Sequence, residues 1–487
     1  MSERVTLVRA GKVVPAHDLA AIDNGAAAVR GELIEAVGDF QELQARFPGA
    51  EVMGGEEYLL IPGLINGHSH GRGLTDFQRG ALDNTLESWL LDTRRYIPVP
   101  VYDDVAYSAA RLLKAGVTTT MHNHVPVNPA AFEEEHDQAI SAYLEAGMRV
   151  QFNPGVRNNN PFVYGDNKAF LAALPQELRQ ALTRPLPEGS LTGDNFVQAV
   201  KDLHCQAEGP RCRIGFGPLA PQWATRELLT EVRKAADELE APIHVHAVQS
   251  IFQKVYGLEH LGRSLISWMN EIGFLGKRLV IGHCVWPTEA DIELLARTGT
   301  AVTHHPSCNL RVRNGIAPAW QMLKSGVLVG LGLDGKSIND DDDLIQEMKV
   351  CYLLHRLPSL ELHLEPGRQA DLVLLDYQAM GAPYVDPAQD PIDVLLYRGS
   401  RHYVDTVMVG GRVVVEGGRL TTIDQEEIGR RLALASSRSR TQAEEAMLGG
   451  LDLLQEKVID YYRGWTEKVE TEPYMLINSR KDGLKEK

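Results

Sequence analysis

Long hydrophobic runs are missing from this chain. No window of its 487 residues reaches the ~18 uninterrupted apolar residues that a membrane-spanning helix needs, which excludes one. Excess positive charge is missing too: Lys plus Arg number 49 against 65 Asp plus Glu, a formal net charge of −16. That balance repels phosphate backbones and anionic lipid heads, so neither nucleic acid nor a membrane surface is expected as a partner. Cysteine is scarce, with Cys205, Cys212, Cys284, Cys308 and Cys351 and no CxxC pair. Such scatter argues against a disulfide scaffold and against a cysteine-rich structural zinc site. The first residues, Met1-Ser-Glu-Arg-Val-Thr-Leu, lack the basic and apolar regions of a signal peptide. A reduced, cytoplasmic enzyme is the class these absences leave.

At roughly 150 residues per domain, the length suits about three units or one large barrel with an added domain. Residues 4–60 read as short strands with turns. Val5-Thr-Leu-Val-Arg alternates, Ala26-Ala-Ala-Val runs into Arg30-Gly31, and Leu33-Ile-Glu-Ala-Val-Gly follows. The same texture returns at Ala370-Asp-Leu-Val-Leu-Leu-Asp and at Val404-Asp-Thr-Val-Met-Val. Residues 1–60 and 365–420 are therefore expected to pair into one small β domain that brackets residues 61–364.

Inside that bracket, short buried-strand runs such as Arg149-Val-Gln-Phe, Ile243-His-Val-His and Leu279-Val-Ile-Gly-His alternate with helical stretches. In one of these, Leu228, Leu229, Val232, Ala236 and Leu239 recur at helical spacing. The alternation predicts a parallel barrel or a doubly wound sheet, and polar residues at the C-terminal ends of the strands favour the barrel. The Asn-, Pro- and Gly-rich stretch from Gly155 to Phe196 is long enough for a lid or a packed surface excursion. Residues 421–487 read as a charged helical extension whose last residues, from Lys481, fray.

Chemistry concentrates in Pro62-Gly-Leu-Ile-Asn-Gly-His-Ser-His. Side chains two apart on a strand point the same way, so His68 and His70 converge, an economical start to a metal site. Three later strands also end in ligand-type residues: His246, His283 and Asp334. One barrel would gather all of these around its axis. His244 shares the inward phase of His246 and reads either as part of the site or as a satisfied interior histidine. His122 and His124 end the second strand, where pocket residues sit. Trp89 and Trp223 could wall a planar ligand or simply fill the core. The run Asp340-Asp-Asp-Asp is expected to solvate and cap a helix starting near Leu344.

With Pro62 to His70, His246, His283, His304-His-Pro-Ser-Cys-Asn-Leu, Val329-Gly-Leu-Gly-Leu-Asp-Gly and Glu365-Pro-Gly-Arg-Gln-Ala-Asp-Leu in hand, the chain resembles the amidohydrolase superfamily. The resemblance is to its chlorohydrolase and aminohydrolase branch, which includes cytosine and adenosine-derivative deaminases. It implies a distorted (β/α)8 barrel, an α/β fold, with a small β-sandwich built from both chain ends. It also implies His68, His70 and His246 as nitrogen ligands and Asp334 as an oxygen ligand of one divalent ion, Zn²⁺ first and Fe²⁺ second. Asp334 would manage the proton of the attacking water, and His283 would polarise the substrate or stabilise the tetrahedral intermediate. His304 is placed as a substrate contact and His305, pointing the other way, as structural. Binuclear relatives carry a bridging Lys or Glu on the fourth strand, and Cys212-Arg-Ile-Gly-Phe-Gly-Pro has neither. A single metal is expected.

Two features depart from that pattern. Deaminases of this branch carry Glu three residues after the fifth-strand His, as a proton shuttle. This chain has Gln249 there, which hydrogen-bonds but carries no proton. Further on, 33 positions (367 − 334) separate Asp334 from Gly367, too few for the usual helices, so the barrel's final helix is expected to be missing or replaced. The leading reading is a mononuclear metal-dependent hydrolase acting on a non-peptide carbon–nitrogen bond of a small cyclic or heteroaromatic substrate, with Asp334, His283 and Gln249 in the catalytic set. Expulsion of halide from the same site is the alternative, which Gln249 tolerates. A silent metabolite-binding homologue is the third reading, against which the intact ligand set argues. A cytidine-deaminase-type zinc site is disfavoured, since its HxE and PCxxC elements are absent. The expected partner is a small molecule, and the default assembly a homodimer.

Overall fold

The computed structural model describes residues 4–16, 19–355 and 371–470, with 472 and 474. Four strands open the chain: β1 (Val5–Val13), β2 (Ile22–Arg30), β3 (Leu33–Asp39) and β4 (Glu51–Pro62). Next come β5 (Leu64–Ser69), β6 (Val117–His124), β7 (Arg149–Val156), β8 (Cys212–Ile214) and β9 (Gly217–Pro218). Then follow β10 (Ile243–Ala247), β11 (Leu279–His283), β12 (Ala301–His304) and β13 (Val329–Leu331). Four more strands, β14 (Leu372–Asp376), β15 (Val404–Val409), β16 (Arg412–Glu416) and β17 (Arg419–Leu420), complete the set.

The two chain ends share one sheet, in the order β17-β16-β15-β14-β4-β1-β2-β3. Every pairing in it is antiparallel except β1 beside β4. The ends thus join in a single continuous sheet and not in two separately hydrogen-bonded layers. Strand alternation sorts the apolar side chains. Val8, Ala10, Ala27, Val29, Leu60, Leu372, Leu374 and Met408 bury one face. Val5, Leu7, Ala26 and Ala28 bury the other, against Phe40 and Leu43 of helix Phe40–Arg46.

The barrel is a parallel run β5-β6-β7-β8, with β9 beside β7, and a second parallel run β10-β11-β12-β13. Two thin seams close it, and they are where it is distorted. At one, Phe216 bridges Ile243 and the His244 N–H donates to the Phe216 carbonyl at 2.9 Å. At the other, the Asp334 N–H donates to the His68 carbonyl at 3.0 Å. Amphipathic helices cover the outside. In Arg226–Glu238, capped by Thr225, Leu228, Leu229, Val232, Ala235 and Ala236 face the strands.

The helix expected to start near Leu344 is present, Leu344–Leu354, and the stretch in which the barrel's final helix was expected to be missing or replaced lies past it, outside the described residues. Asp343 caps this helix, accepting from Ile345 N and Gln346 N at 3.0 and 3.1 Å. The rest of the acidic run is ion-paired and not merely solvated: Asp340 meets Arg311 at 3.0 Å and Asp342 meets Arg111 at 3.2 Å. The stretch running into Glu365-Pro-Gly, the Gly367 turn, the 364/365 boundary and the chain end from Lys481 lie outside the described residues. Within the Gly155–Phe196 stretch, Val163 and Tyr164 are fully packed, which suits an excursion more than a free lid. Helix Gln442–Tyr462 holds it there, since the Tyr461 hydroxyl donates to the Tyr164 carbonyl and Tyr462 Oη accepts from Tyr164 N, both at 3.0 Å. Among the described residues no helix is long and apolar enough to cross a membrane. The five cysteines are all unpaired.

Candidate active site

The C-terminal ends of the barrel strands bring His68, His70, His246 and Asp334 together, with one ligand-type atom of each inside a common 4.8 Å. Asp334 Oδ1 lies 3.0 Å from His68 Nε2 and 3.1 Å from His70 Nε2. His246 Nε2 stands 3.1 Å from His68 Nε2. Backbone carbonyls fix two of these rings. His70 Nδ1–H donates to the Asn123 carbonyl at 2.8 Å and His246 Nδ1–H to the Leu219 carbonyl at 2.6 Å. Each Nε2 therefore turns its lone pair to the centre, as ligating histidines do. Lone pairs and a carboxylate crowded at this range repel one another unless a cation sits among them. The donor set, three imidazole nitrogens and one carboxylate, suits a borderline divalent ion.

Electrostatics agree. Burial pushes the His246 imidazole well down, and neighbouring imidazoles add to it. Burial by itself would raise the Asp334 carboxyl, but His68, His70 and His283 outweigh it and hold it well below the carboxylate range. His68 and His246 are so held neutral and Asp334 ionised at neutral pH.

Around this group lies more histidine. His68 is sandwiched between His244, stacked at 4.7 Å, and His305, stacked at 4.6 Å. His305 thus faces inward and not outward. The strand parity that assigned it ends at His304, and the chain then turns into helix Pro306–Arg311. His283 Nε2 points at Asp334 Oδ2 from 3.6 Å and has no hydrogen-bond partner among the described residues. Its Nδ1 lies 3.0 Å from Asn309 Oδ1 and 3.2 Å from His305 Nδ1. Burial pushes the His283 imidazole down to about 4. Asp334 Oδ2 accepts from the Cys308 thiol at 2.8 Å. Asn309 and Cys308 belong to the motif His304-His-Pro-Ser-Cys-Asn-Leu, whose spacing signals a turn without showing which side chains it aims inward.

The strand ends themselves are bent. Val248, His283, Cys284 and Asp334 adopt left-handed backbone angles (φ 45°, 72°, 48° and 55°), uncommon for side-chain-bearing residues and concentrated at functional sites. Not every sequence candidate joins the centre. His124 lies against Phe152 and His136 with Glu135 at 3.5 Å, on the helix side of β6, because Asn123 between the two histidines takes the inward phase. His304 faces outward, its Nε2 2.9 Å from His355 Nε2. Trp89 carries Lys336 Nζ at 4.4 Å from its ring. Trp223, with Arg157 over it at 4.7 Å, lines a cavity of about 50 Å³ at the barrel mouth with Glu87, Tyr164 and Tyr462. Gln249 is buried at the same end. A larger cavity, about 490 Å³, lies elsewhere, lined by Arg111, Lys114, Asp340 and Arg401, with none of these imidazoles.

This fold and donor set define a barrel hydrolase of the metal-assisted kind. Residues 59–361 match the amidohydrolase family, and the chain belongs to it. A further short match, residues 28–50, is to the bacterial imidazolonepropionase-like composite domain. The 5-methylthioadenosine/S-adenosylhomocysteine deaminase 1 of Syntrophus aciditrophicus is 29% identical over 474 residues, covering 90% of this chain and 98% of that protein. The 5′-deoxyadenosine deaminase of Methanothermobacter thermautotrophicus is 28% identical over 407 residues, covering 77% and 86%. An adenosine deaminase from Xanthomonas campestris, solved with bound zinc, superposes with a TM-score of 0.72 at 23% identity, covering 89% and 98%. The chain is a metal-dependent hydrolase of carbon–nitrogen bonds in small heteroaromatic molecules.

Proposed function

We propose that this enzyme deaminates an adenosine-type nucleoside altered at its 5′ position, of the kind named for its relatives, 5′-deoxyadenosine or 5-methylthioadenosine. The observation that carries the reading is the cluster of His68, His70, His246 and Asp334 at the mouth of the barrel. These four would hold one ion, zinc by preference, which when bound supplies a hydroxide equivalent at neutral pH and polarises the reacting carbon. Asp334 takes a proton from the attacking water and passes it to the leaving amine. Cys308, donating to Oδ2, keeps that carboxylate oriented. His283, its Nδ1 proton directed at Asn309, presents an Nε2 lone pair. It therefore orients the water by accepting an O–H, a role that fits this tautomer better than donation to an oxyanion. His124 and His304 face away and are left out of the substrate contacts, while Trp223 borders the pocket. We further propose three units (1–60 with 365–420, 61–364, 421–487), a homodimer, and a cytoplasmic setting that fits five unpaired cysteines.

The test measures ammonia release from 5′-deoxyadenosine and 5-methylthioadenosine, with metal content by elemental analysis, for wild type and Asp334→Asn. Expected are about one zinc per chain, turnover by wild type, and loss of turnover in the variant with its circular dichroism unchanged. Retained activity in Asp334→Asn removes that residue from the mechanism. Halide release from a chlorinated heterocycle without any ammonia release moves the dehalogenase alternative to the front.

A further inference from the structure

Deamination of a heteroaromatic ring requires a proton at a ring nitrogen as water adds to the adjacent carbon, and Gln249 cannot supply one. The next residue, Ser250, donates its hydroxyl to Glu87 Oε1 at 2.5 Å, and the Tyr164 hydroxyl donates to the same oxygen at 3.1 Å. Glu87 Oε2 is buried with no hydrogen-bond partner among the described residues. Glu87 is only 8% exposed, yet it lines the cavity shared with Trp223, Tyr164, Arg157 and Tyr462. A buried oxygen left unpaired is costly unless something comes to pair it, so its place beside a cavity points to a ligand. Glu87 sits in the first turn of helix Leu86–Asp92. Glu87 touches Ser250 beyond β10, and Trp89 meets Lys336 beyond β13, so the helix touches down beyond the ends of the strands that bear His246 and lead to Asp334.

We propose that Glu87 is the acid–base residue of this site, placed to exchange a proton with the ring nitrogen of the substrate in the role that Gln249 cannot fill. The inference rests on the deaminase reading above. As water adds to the amino-bearing carbon, one water proton goes to Asp334 and the Glu87 carboxyl gives its proton to the ring nitrogen. The proton on Asp334 then passes to the amino group, the carbon–nitrogen bond breaks and ammonia leaves. The remaining hydroxyl proton returns to Glu87 as the carbonyl forms, so both groups are restored.

The surroundings suit such a shuttle. Burial pushes the Glu87 carboxyl up to about 7, against the hydrogen bonds from Ser250 and Tyr164, so both protonation states are populated at neutral pH. Tyr164 and Tyr462, facing it from the Gly155–Phe196 stretch and from the C-terminal helix, are pushed far up by burial and stay protonated. Arg157 and Arg94 across the cavity stay cationic, and Ser250 and Gln253 on the remaining side do not titrate.

The experiment uses zinc-loaded, glutamate-labelled wild type, Glu87→Gln, and Glu87→Gln combined with Gln249→Glu. Infrared difference titration should show carboxyl absorption lost with a midpoint near pH 7 in wild type and reduced in Glu87→Gln by the share of one carboxyl, the remainder belonging to Glu347, which is raised to about 7 as well. Steady-state kinetics on 5′-deoxyadenosine should show kcat lowered about 10²–10⁴-fold in Glu87→Gln at nearly unchanged KM. The limb of the kcat profile near neutrality should vanish, and Gln249→Glu should restore at least part of the loss. A Glu87→Gln enzyme that keeps kcat and its pH profile overturns the proposal while leaving the deaminase reading standing. If wild type releases no ammonia, that reading falls, and the infrared arm still decides Glu87. A Glu87 share that shifts when 5′-deoxyadenosine binds supports contact with the ligand, and an unmoved share overturns it.

Discussion

At the scale of residues, the site depends on which nitrogen of each imidazole holds the proton. Carbonyls of Asn123 and Leu219 settle this for His70 and His246, and Asn309 Oδ1 accepts from His283 Nδ1. Removing that amide should free the His283 ring to flip or change tautomer while leaving the four ligand-type side chains in place. Asn309→Ala is expected to lower kcat roughly 10–100-fold, the usual size for such orienting partners, with zinc content unchanged. Elemental analysis alongside kinetics checks it, and a variant that loses zinc in step with activity would place Asn309 in metal retention instead. His68, His70, His244 and His246 were legible from strand period alone, since alternation sends residues two apart to one face. That rule cannot say which phase of β6 is inward, which is why His124 looked available when Asn123 holds the inner face. The period rule also fails past the last strand residue, so His305, Cys308 and Asn309 emerge only once the turn into Pro306–Arg311 is built.

Elements impose their own limits on the site. At the seam between β5 and the end of β13 the backbones approach so closely that a Cβ on Gly332 would stand 2.8 Å from both His68 Cβ and His68 N, and 2.9 Å from the His305 ring. Neither backbone can retreat, because the Asp334 N–H is bonded to the His68 carbonyl and the Gly332 N–H to the His304 carbonyl. Gly332→Ala is therefore expected to shift His68 relative to Asp334, weakening zinc binding at least about tenfold and costing about 1–3 kcal/mol as overpacking does. Zinc affinity by competition with a chelator, beside urea denaturation, reads both effects; unaltered affinity would mean that the seam yields without moving the ligands. Strand–helix alternation made the barrel readable, and the mirrored texture of the two ends made the composite sheet readable. The helix Leu344–Leu354 was readable from the acidic cap before it, but the short remaining distance to Gly367 was not informative, because spacing says nothing about how tightly the intervening chain is used. Likewise the acidic run at 340–343 looked like a solvated cap, and only the fold brings Arg311, Arg111 and Arg401 to it.

For the whole molecule, the concentration of buried imidazoles ties stability to pH. Burial pushes His283 down to about 4 and His136 and His304 down to about 3, each below the ordinary histidine value. The unfolded chain takes up these protons below pH ~6.5 and the folded chain resists, so folding loses free energy as pH falls from there. At pH 5 each of the three costs about 2 kcal/mol relative to pH 8, a total comparable with the whole stability of an ordinary domain. His244, His246 and His305, pushed down further by burial and by one another, act in the same direction. Glu87 and Glu347 oppose them. Their carboxyls are raised to about 7 by burial, so they favour the folded state at low pH and lose that contribution as pH rises from about 4.5 towards 7. Two carboxyls do not balance six imidazoles, and the metal-free protein should have a lower urea midpoint at pH 5 than at pH 7.5. Zinc should raise the midpoint at pH 7.5 by binding only the folded chain, and its benefit should shrink towards pH 5, where protons compete for the ligand nitrogens. Denaturation of chelated and zinc-loaded protein at both values measures the four midpoints. A chelated protein with equal midpoints would show that the buried imidazoles find protons inside the fold, while a zinc increment independent of pH would mean that the ion is held by groups other than these histidines.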